Sequence, residues 1–190
     1  MKIGLALLGV ILVGFTAGAL GAFSVNALKG DNERVKEFYL TENAVHVSPH
    51  TLRTRMDKGD SRFVLVDLRT SEEYNSEHVV GAVSIPGGQE KDKVLEAFKK
   101  LPEGKEIIAY CYSSSCMLAR KIGLMLSENG IFVKDLEIGW NEWRFGWKSW
   151  NSQGEWNSTK AEDYVTKGAL PGSLASAANS SICSKGEFGC

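Results

Sequence analysis

The sequence predicts an α/β fold: a mostly parallel central sheet flanked by helices. Three observations predict it. Short apolar runs of strand length alternate with segments of helical periodicity. Phe63 to Val66 is apolar throughout, as a strand covered on both faces must be. After Ile107 to Tyr110 the spacing turns from strand-like to helical within a few polar residues, which marks a strand–loop–helix unit.

Taken in order, the chain opens on residues 1–28, read as a transmembrane anchor or signal peptide. Ile3 to Leu28 carries no charge. A membrane helix needs ~20 apolar residues and a secretory core only ~7–15, so both readings stay open. Small residues suitable for cleavage stand at Ala17-Gly18-Ala19 and at Val25-Asn26-Ala27. Lys2 favours a cytoplasmic N-terminus, which places the folded domain on the far side. An anchored chain is then periplasmic or on the cell surface, and a cleaved one is secreted.

Residues 29–43 form a charged, helix-compatible linker with Val35, Phe38 and Tyr39 on one side. Ala44 to Val47 reads as a short strand. Ser48-Pro49 then starts a helix, with Ser48 as N-cap and Pro49 in its first turn. That helix stops near Gly59. Phe63 to Val66 follows as a strand, then a loop through His78, then a short strand from Ala82 to Ile85 halted by Pro86. Lys91 to Lys100 is an amphipathic helix with Val94, Leu95 and Phe98 inward. Met117 to Asn129 is a second one, ended by Gly130. Val133 to Leu136 is a further strand. Residues 44–150 thus make the folded domain, and 151–190 read as a C-terminal extension with a Ser/Gly/Ala-rich tail.

Composition excludes some functions. A formal net charge of -1 over 190 residues leaves no footprint for nucleic acid. Four Cys suit an exported protein. Cys183 and Cys190 close the chain and are expected to pair as a disulfide. Two thiolates alone lack the further ligands zinc would want, so no metal is expected.

Cys111 is the candidate nucleophile. It ends the strand Ile107 to Tyr110 and opens a polar loop that runs into a helix. A loop's N–H groups and a helix N-terminus favour a thiolate and any anion attached to it. The competing reading is a buried Cys that packs as a small hydrophobe. Backbone amides from Tyr112 to Met117 can form the cradle, as oxyanion holes do. Ser113, Ser114 and Ser115 add hydroxyl donors, or are simply a polar turn. Cys116 is a candidate resolving thiol, since a thiol beside an oxidised or persulfidated Cys can attack it.

Asp67, Arg69, Glu73, Tyr74, His78, Gly81, Ala82, Ile85 and Pro86 lie within VLVDLRTSEEYNSEHVVGAVSIPGG. Leu136, Gly139 and Trp143 lie within LEIGWNEW. With the Cys loop, these segments resemble the rhodanese-like domain from about Val45 to Trp150. The resemblance implies a sulfurtransferase. Cys111 would take a sulfane sulfur from a donor, become a persulfide, and pass the sulfur to a thiol or other nucleophilic acceptor. No cofactor is implied. The family loop usually carries Gly within it and often Arg near its end, where this chain has Ser114 and Cys116. Losing that cation weakens recognition of thiosulfate. Arg120, one turn into the helix, is the candidate replacement, or else a solvated surface residue. Asp67 and Arg69 are expected to support the site as an ion pair, and Glu73 and His78 to be structural.

Trp140, Trp143, Trp147 and Trp150 recur at spacings that place them on one helical face. Core packing is the default, and a membrane or protein-partner surface the alternative. Two other functions stay open: a thiol–disulfide redox or sensor protein using Cys111 and Cys116, and a non-catalytic, membrane-anchored binding module. A related phosphatase fits least, because Met117 stands where its loop closes with Arg.

Overall fold

The computed structural model describes residues 30–151 and 159–174. The expected membrane segment at 3–28, Trp156, Cys183 and Cys190 lie outside the described residues. No helix among the described residues is long and apolar enough to cross a membrane. The chain divides into two units, residues 1–43 and 44–190.

Helix α1 (Asp31–Val45) carries no buried residue. Val35, Phe38, Tyr39 and Leu40 are exposed on it. Because α1 continues through Val45, the strand expected from Ala44 shrinks to β1 (His46–Val47). Helix α2 (Pro49–Asp57) starts as its sequence dictates. The Ser48 Oγ accepts the Thr51 N–H at 3.1 Å, and Pro49 supplies the fixed φ of the first turn.

The central sheet has five parallel strands in the order β1-β6-β5-β2-β4. Besides β1, these are β2 (Phe63–Asp67), β4 (Ala82–Ser84), β5 (Glu106–Tyr110) and β6 (Val133–Leu136). Helices α4 (Lys91–Lys99) and α5 (Leu118–Ser127) connect them as expected. Gly130, at φ 75°, follows α5 in the left-handed region that glycine adopts without strain.

Successive side chains on a strand point to opposite faces, so each buried strand feeds two cores. On β5 and its extension, Ile107, Ala109 and Cys111 join one cluster with Val94, Phe98, Ala119, Ile122 and Leu126. Ile108 and Tyr110 join the other, with Leu52, Leu65, Tyr74, Trp143 and Trp147. Cys111 and its neighbour Tyr110 therefore belong to different layers.

Three parts of the fold depart from the expectation. The loop expected before His78 contains a helix, α3 (Ser71–Ser76), nucleated by a capping box between Thr70 and Glu73. The stripe of Trp residues does not form one helix. It breaks at Phe145-Gly146 into α6 (Trp140–Arg144) and α7 (Trp147–Trp150). Trp140, Trp143 and Trp147 are buried, with Trp147 stacked on Tyr164 at 5.1 Å between centroids. Trp140, Trp143 and Trp147 are thus taken up by intramolecular packing, and Trp150 is half-buried.

The third departure concerns the boundary at residue 150. A 3-10 turn (Ala161–Tyr164) and strand β7 (Val165–Thr166) belong to the same fold. β7 pairs antiparallel with β3 (His78–Val79). Ala161 and Tyr164 are buried, Arg53 donates to Asn151 at 2.7 Å, and Tyr164 donates to Asp57 at 2.7 Å. The extension is polar in composition, yet its few apolar side chains complete the core.

Candidate active site

The site is built from the C-terminal edge of the parallel sheet, where loops gather in α/β folds. β5 ends at Tyr110, and Cys111 opens a seven-residue loop that enters α5 at Leu118. The same edge receives the end of β2 at Asp67, the loop after it carrying Arg69, and the loop after β6, carrying Gly139.

Cys111 is only 3% exposed. Its sulfur is bonded to that of Cys116, and the two α-carbons are 6.3 Å apart. Both residues pack at the end of the apolar layer under α5, Cys116 with partial exposure. The free thiolate expected at Cys111 is therefore not the species in this structure; a dithiol must be regenerated before that sulfur can act as a nucleophile.

The backbone of the loop is clamped from below. Trp140 N–H donates to the Cys111 carbonyl at 2.8 Å, and Asn141 N–H to the Tyr112 carbonyl at 2.9 Å. Such contact demands close approach at Gly139. A Cβ there would lie 2.1 Å from Ser113 N and 2.3 Å from its α-carbon. Only glycine fits, which gives the glycine of LEIGWNEW a physical role. Within the loop, Cys116 N–H donates to the Ser113 carbonyl at 2.9 Å. No acceptor among the described residues takes the N–H groups of Ser115, Met117 and Leu118.

Two carboxylates meet the loop. Glu142 accepts the Ser114 N–H at 3.2 Å, the Ser114 hydroxyl at 3.0 Å and the Gly139 N–H at 3.1 Å. Burial opposes ionisation of Glu142, but hydrogen bonds from its own backbone N–H, from Ser114 and from Gly139 outweigh it and hold its carboxyl below the usual range. Glu73 accepts the Tyr112 hydroxyl at 2.8 Å as well as the Thr70 cap. Burial opposes ionisation there too, and the Tyr112 and Thr70 bonds with the nearby Arg69 charge bring the carboxyl down. Neither contact was anticipated from sequence. The one legible signal was Glu142 standing three residues after Gly139, the spacing at which a Glu reaches back to a helix start.

The expected cations are spoken for. Asp67 and Arg69 form a buried, bidentate pair, with Arg69 Nη2 2.6 Å from Asp67 Oδ2. Arg69 also donates to the Glu77 carbonyl at 2.8 Å and lies 4.2 Å from the Trp140 ring centroid. Tyr110 donates to Asp67 and accepts the Val79 N–H at 3.2 Å. This polar cluster braces the loop from beneath the sheet edge. Arg120 pairs with Asp135 at 3.0 Å, and its Nη1 lies 4.0 Å from Met117 Sδ. Ser115 and Met117 are exposed, and Tyr112 is 37% exposed.

His78 holds two segments of the chain together. It is fully buried and stacked on Tyr74, with Nδ1 2.8 Å from the Tyr74 carbonyl and Nε2 3.1 Å from the Leu170 carbonyl. It ties the C-terminal segment to α3.

Comparison with known proteins agrees with this architecture. A family model described as Rhodanese-like domain matches residues 48–145. Among solved structures, the BH2092 protein from Bacillus halodurans is 29% identical, with a TM-score of 0.53 over 60% of this chain and 81% of its own. A full-length protein from Lactobacillus plantarum is 18% identical, with a TM-score of 0.50 over 62% of this chain and 92% of its own, and so shares the fold. Among curated proteins, the HTH-type transcriptional regulator Rv0324 of Mycobacterium tuberculosis is 36% identical over 80 residues, 42% of this chain. The chain spans about a third of that relative's length, 34%.

Proposed function

The chain belongs to the rhodanese-like domain family, and from that premise we propose that it is a sulfurtransferase working through a persulfide on Cys111. The observation that carries the proposal is the placement of Cys111 at the end of a central parallel strand, on a short loop delivered to the start of α5. Fold membership alone does not establish chemistry, so the argument rests on that residue and its loop.

The cycle starts when a dithiol reduces the Cys111–Cys116 bond. The Cys111 thiolate then attacks the outer sulfur of a sulfane donor, and the donor's remaining fragment leaves with the bonding electron pair. The outer sulfur of the new persulfide carries negative charge. N–H groups of Ser115, Met117 and Leu118, which have no acceptor among the described residues, are the donors available to it. A thiolate acceptor attacks that outer sulfur and restores Cys111. Ser113 and Ser114 shape the loop, while Asp67 and Arg69 hold its base. No cofactor takes part.

A second reading is favoured by the geometry of Cys116. With its α-carbon 6.3 Å from that of Cys111, its thiolate can attack the inner sulfur of the persulfide. Hydrosulfide leaves and the disulfide re-forms. Two thiols are oxidised, one sulfane sulfur is reduced, and a dithiol partner must reset the pair. This makes the chain a persulfide reductase or redox sensor. The export or anchoring of the domain through residues 3–28 belongs to the same proposal, since an oxidising compartment would maintain such a bond.

Mass spectrometry distinguishes these readings. Reduced protein incubated with sulfane donors should gain one sulfur on Cys111, absent from Cys111→Ser. Cys116→Ser should lengthen the life of that adduct if the second reading holds, and leave it unchanged if only intermolecular transfer occurs. Absence of any adduct on Cys111 refutes both. Protection of the domain from protease in spheroplasts, whose cytoplasmic membrane alone is intact, would overturn the extracytoplasmic placement.

A further inference from the structure

The loop that should hold an anion already holds one of its own. Glu142 takes the Ser114 N–H, the Ser114 hydroxyl and the Gly139 N–H. Glu73 sits on the Tyr112 hydroxyl at the other end of the loop. Neither the loop nor its clamp offers a free cation. Arg69 is buried against Asp67, the Glu77 carbonyl and the Trp140 ring, and Arg120 is paired with Asp135. The loop's own side chains from Tyr112 to Met117 are neutral.

Resting on the sulfur-transfer reading, we propose that Glu142 sets donor class: the site takes alkyl hydropersulfides bearing a neutral or cationic group next to the sulfur, and disfavours thiosulfate and other oxyanion donors. A dianion approaching the loop meets a carboxylate fixed on Ser114, which already takes one of the loop's N–H groups. Like charges near a protein surface repel more than in bulk water. An ammonium-bearing persulfide meets the same carboxylate as a partner. Glu142 is a specificity residue here and takes no part in bond making.

The test uses full-length protein, reduced with a dithiol and desalted. Three short alkyl hydropersulfides of equal chain length, ending in ammonium, hydroxyl or carboxylate, are compared with thiosulfate at equal concentration. The rate of sulfur gain on Cys111 is read by mass spectrometry. The expected order is ammonium, hydroxyl, carboxylate, then thiosulfate. Glu142→Gln should narrow the ratio of ammonium to thiosulfate rates by about tenfold, whereas Glu142→Asp should preserve the order. Added salt should narrow the wild-type ratio. A flat series in the wild type, or a ratio that Glu142→Gln does not move, overturns the inference while leaving sulfur transfer standing. Failure of every donor to load Cys111 overturns sulfur transfer itself, and this inference with it.

Discussion

Tyr110 donates its hydroxyl to Asp67 across the β2–β5 pair, at the position where these two residues are register partners. Both are fully buried, and Asp67 holds Arg69 in turn. Burial first, and then the Asp67 charge, push the Tyr110 hydroxyl far above its ordinary range, so it stays a donor. The residue immediately before Cys111 is thereby fixed.

Breaking this cluster should be costly in a graded way. Tyr110→Phe removes its hydrogen bond to the Asp67 carboxylate, about 1.5–3 kcal/mol, along with the weaker one from the Val79 N–H. Asp67→Ala strands the Arg69 guanidinium and should cost about 3–5 kcal/mol. Urea midpoints of the two variants measure the difference. Equal losses would mean that Arg69 finds another partner.

Gly139→Ala should displace the loop, because the added Cβ meets Ser113 and Tyr112 backbone atoms rather than flexible side chains. The expected cost is about 1–3 kcal/mol or more, together with reduced sulfur loading at Cys111. A variant with wild-type urea midpoint and loading rate would show that the clamp has slack.

Acid stability should depend on Glu106. Burial opposes its ionisation, but hydrogen bonds from Arg55 and Lys134 bring its carboxyl below the usual range. Such a depressed group contributes stability that is present above the unfolded value near ~4.3 and lost as pH falls through the folded one. Asp135, raised by burial despite Arg120, works in the opposite sense. Glu106→Gln should therefore flatten the fall in urea midpoint between about pH 6 and about pH 3. An unchanged slope would assign the acid limb elsewhere.

Tyr164 governs the alkaline side. Burial and its bond to Asp57 push the hydroxyl well above its ordinary value. A raised group contributes stability that is fully present below the unfolded value near ~10 and lost as pH rises through the folded one. Tyr164→Phe should make the alkaline decline shallower, with the slope due to Tyr110 remaining. Tyr164→Ala should cost about 3–5 kcal/mol at neutral pH by emptying the space against Trp143 and Trp147.

Much of this fold was legible because burial on two faces leaves a continuous apolar signature. β2, β5 and β6 were read in place, as were α4 and α5 within two residues. Helix α3 was not, since Ser71–Ser76 contains one apolar residue, Tyr74, and its start depends on the Thr70 cap. β3 and β7 are two residues each and lie far apart in sequence, so no local pattern announces their pairing. The segment around Tyr164 looked like tail because its buried side chains are few. The position of Cys111 at the strand end and the loop into α5 were visible from the strand-to-helix switch. The Glu142 contact was not, because it depends on how closely the loop after β6 passes beneath Ser113.

The antiparallel pairing of β3 with β7 also orders events at the ribosome. His78 finds its second acceptor at Leu170 and Tyr164 its seat under Trp147 only after nearly the whole described chain has emerged. A nascent fragment ending near Trp150 would still expose that aromatic layer, so completion of the domain is a late, whole-chain event.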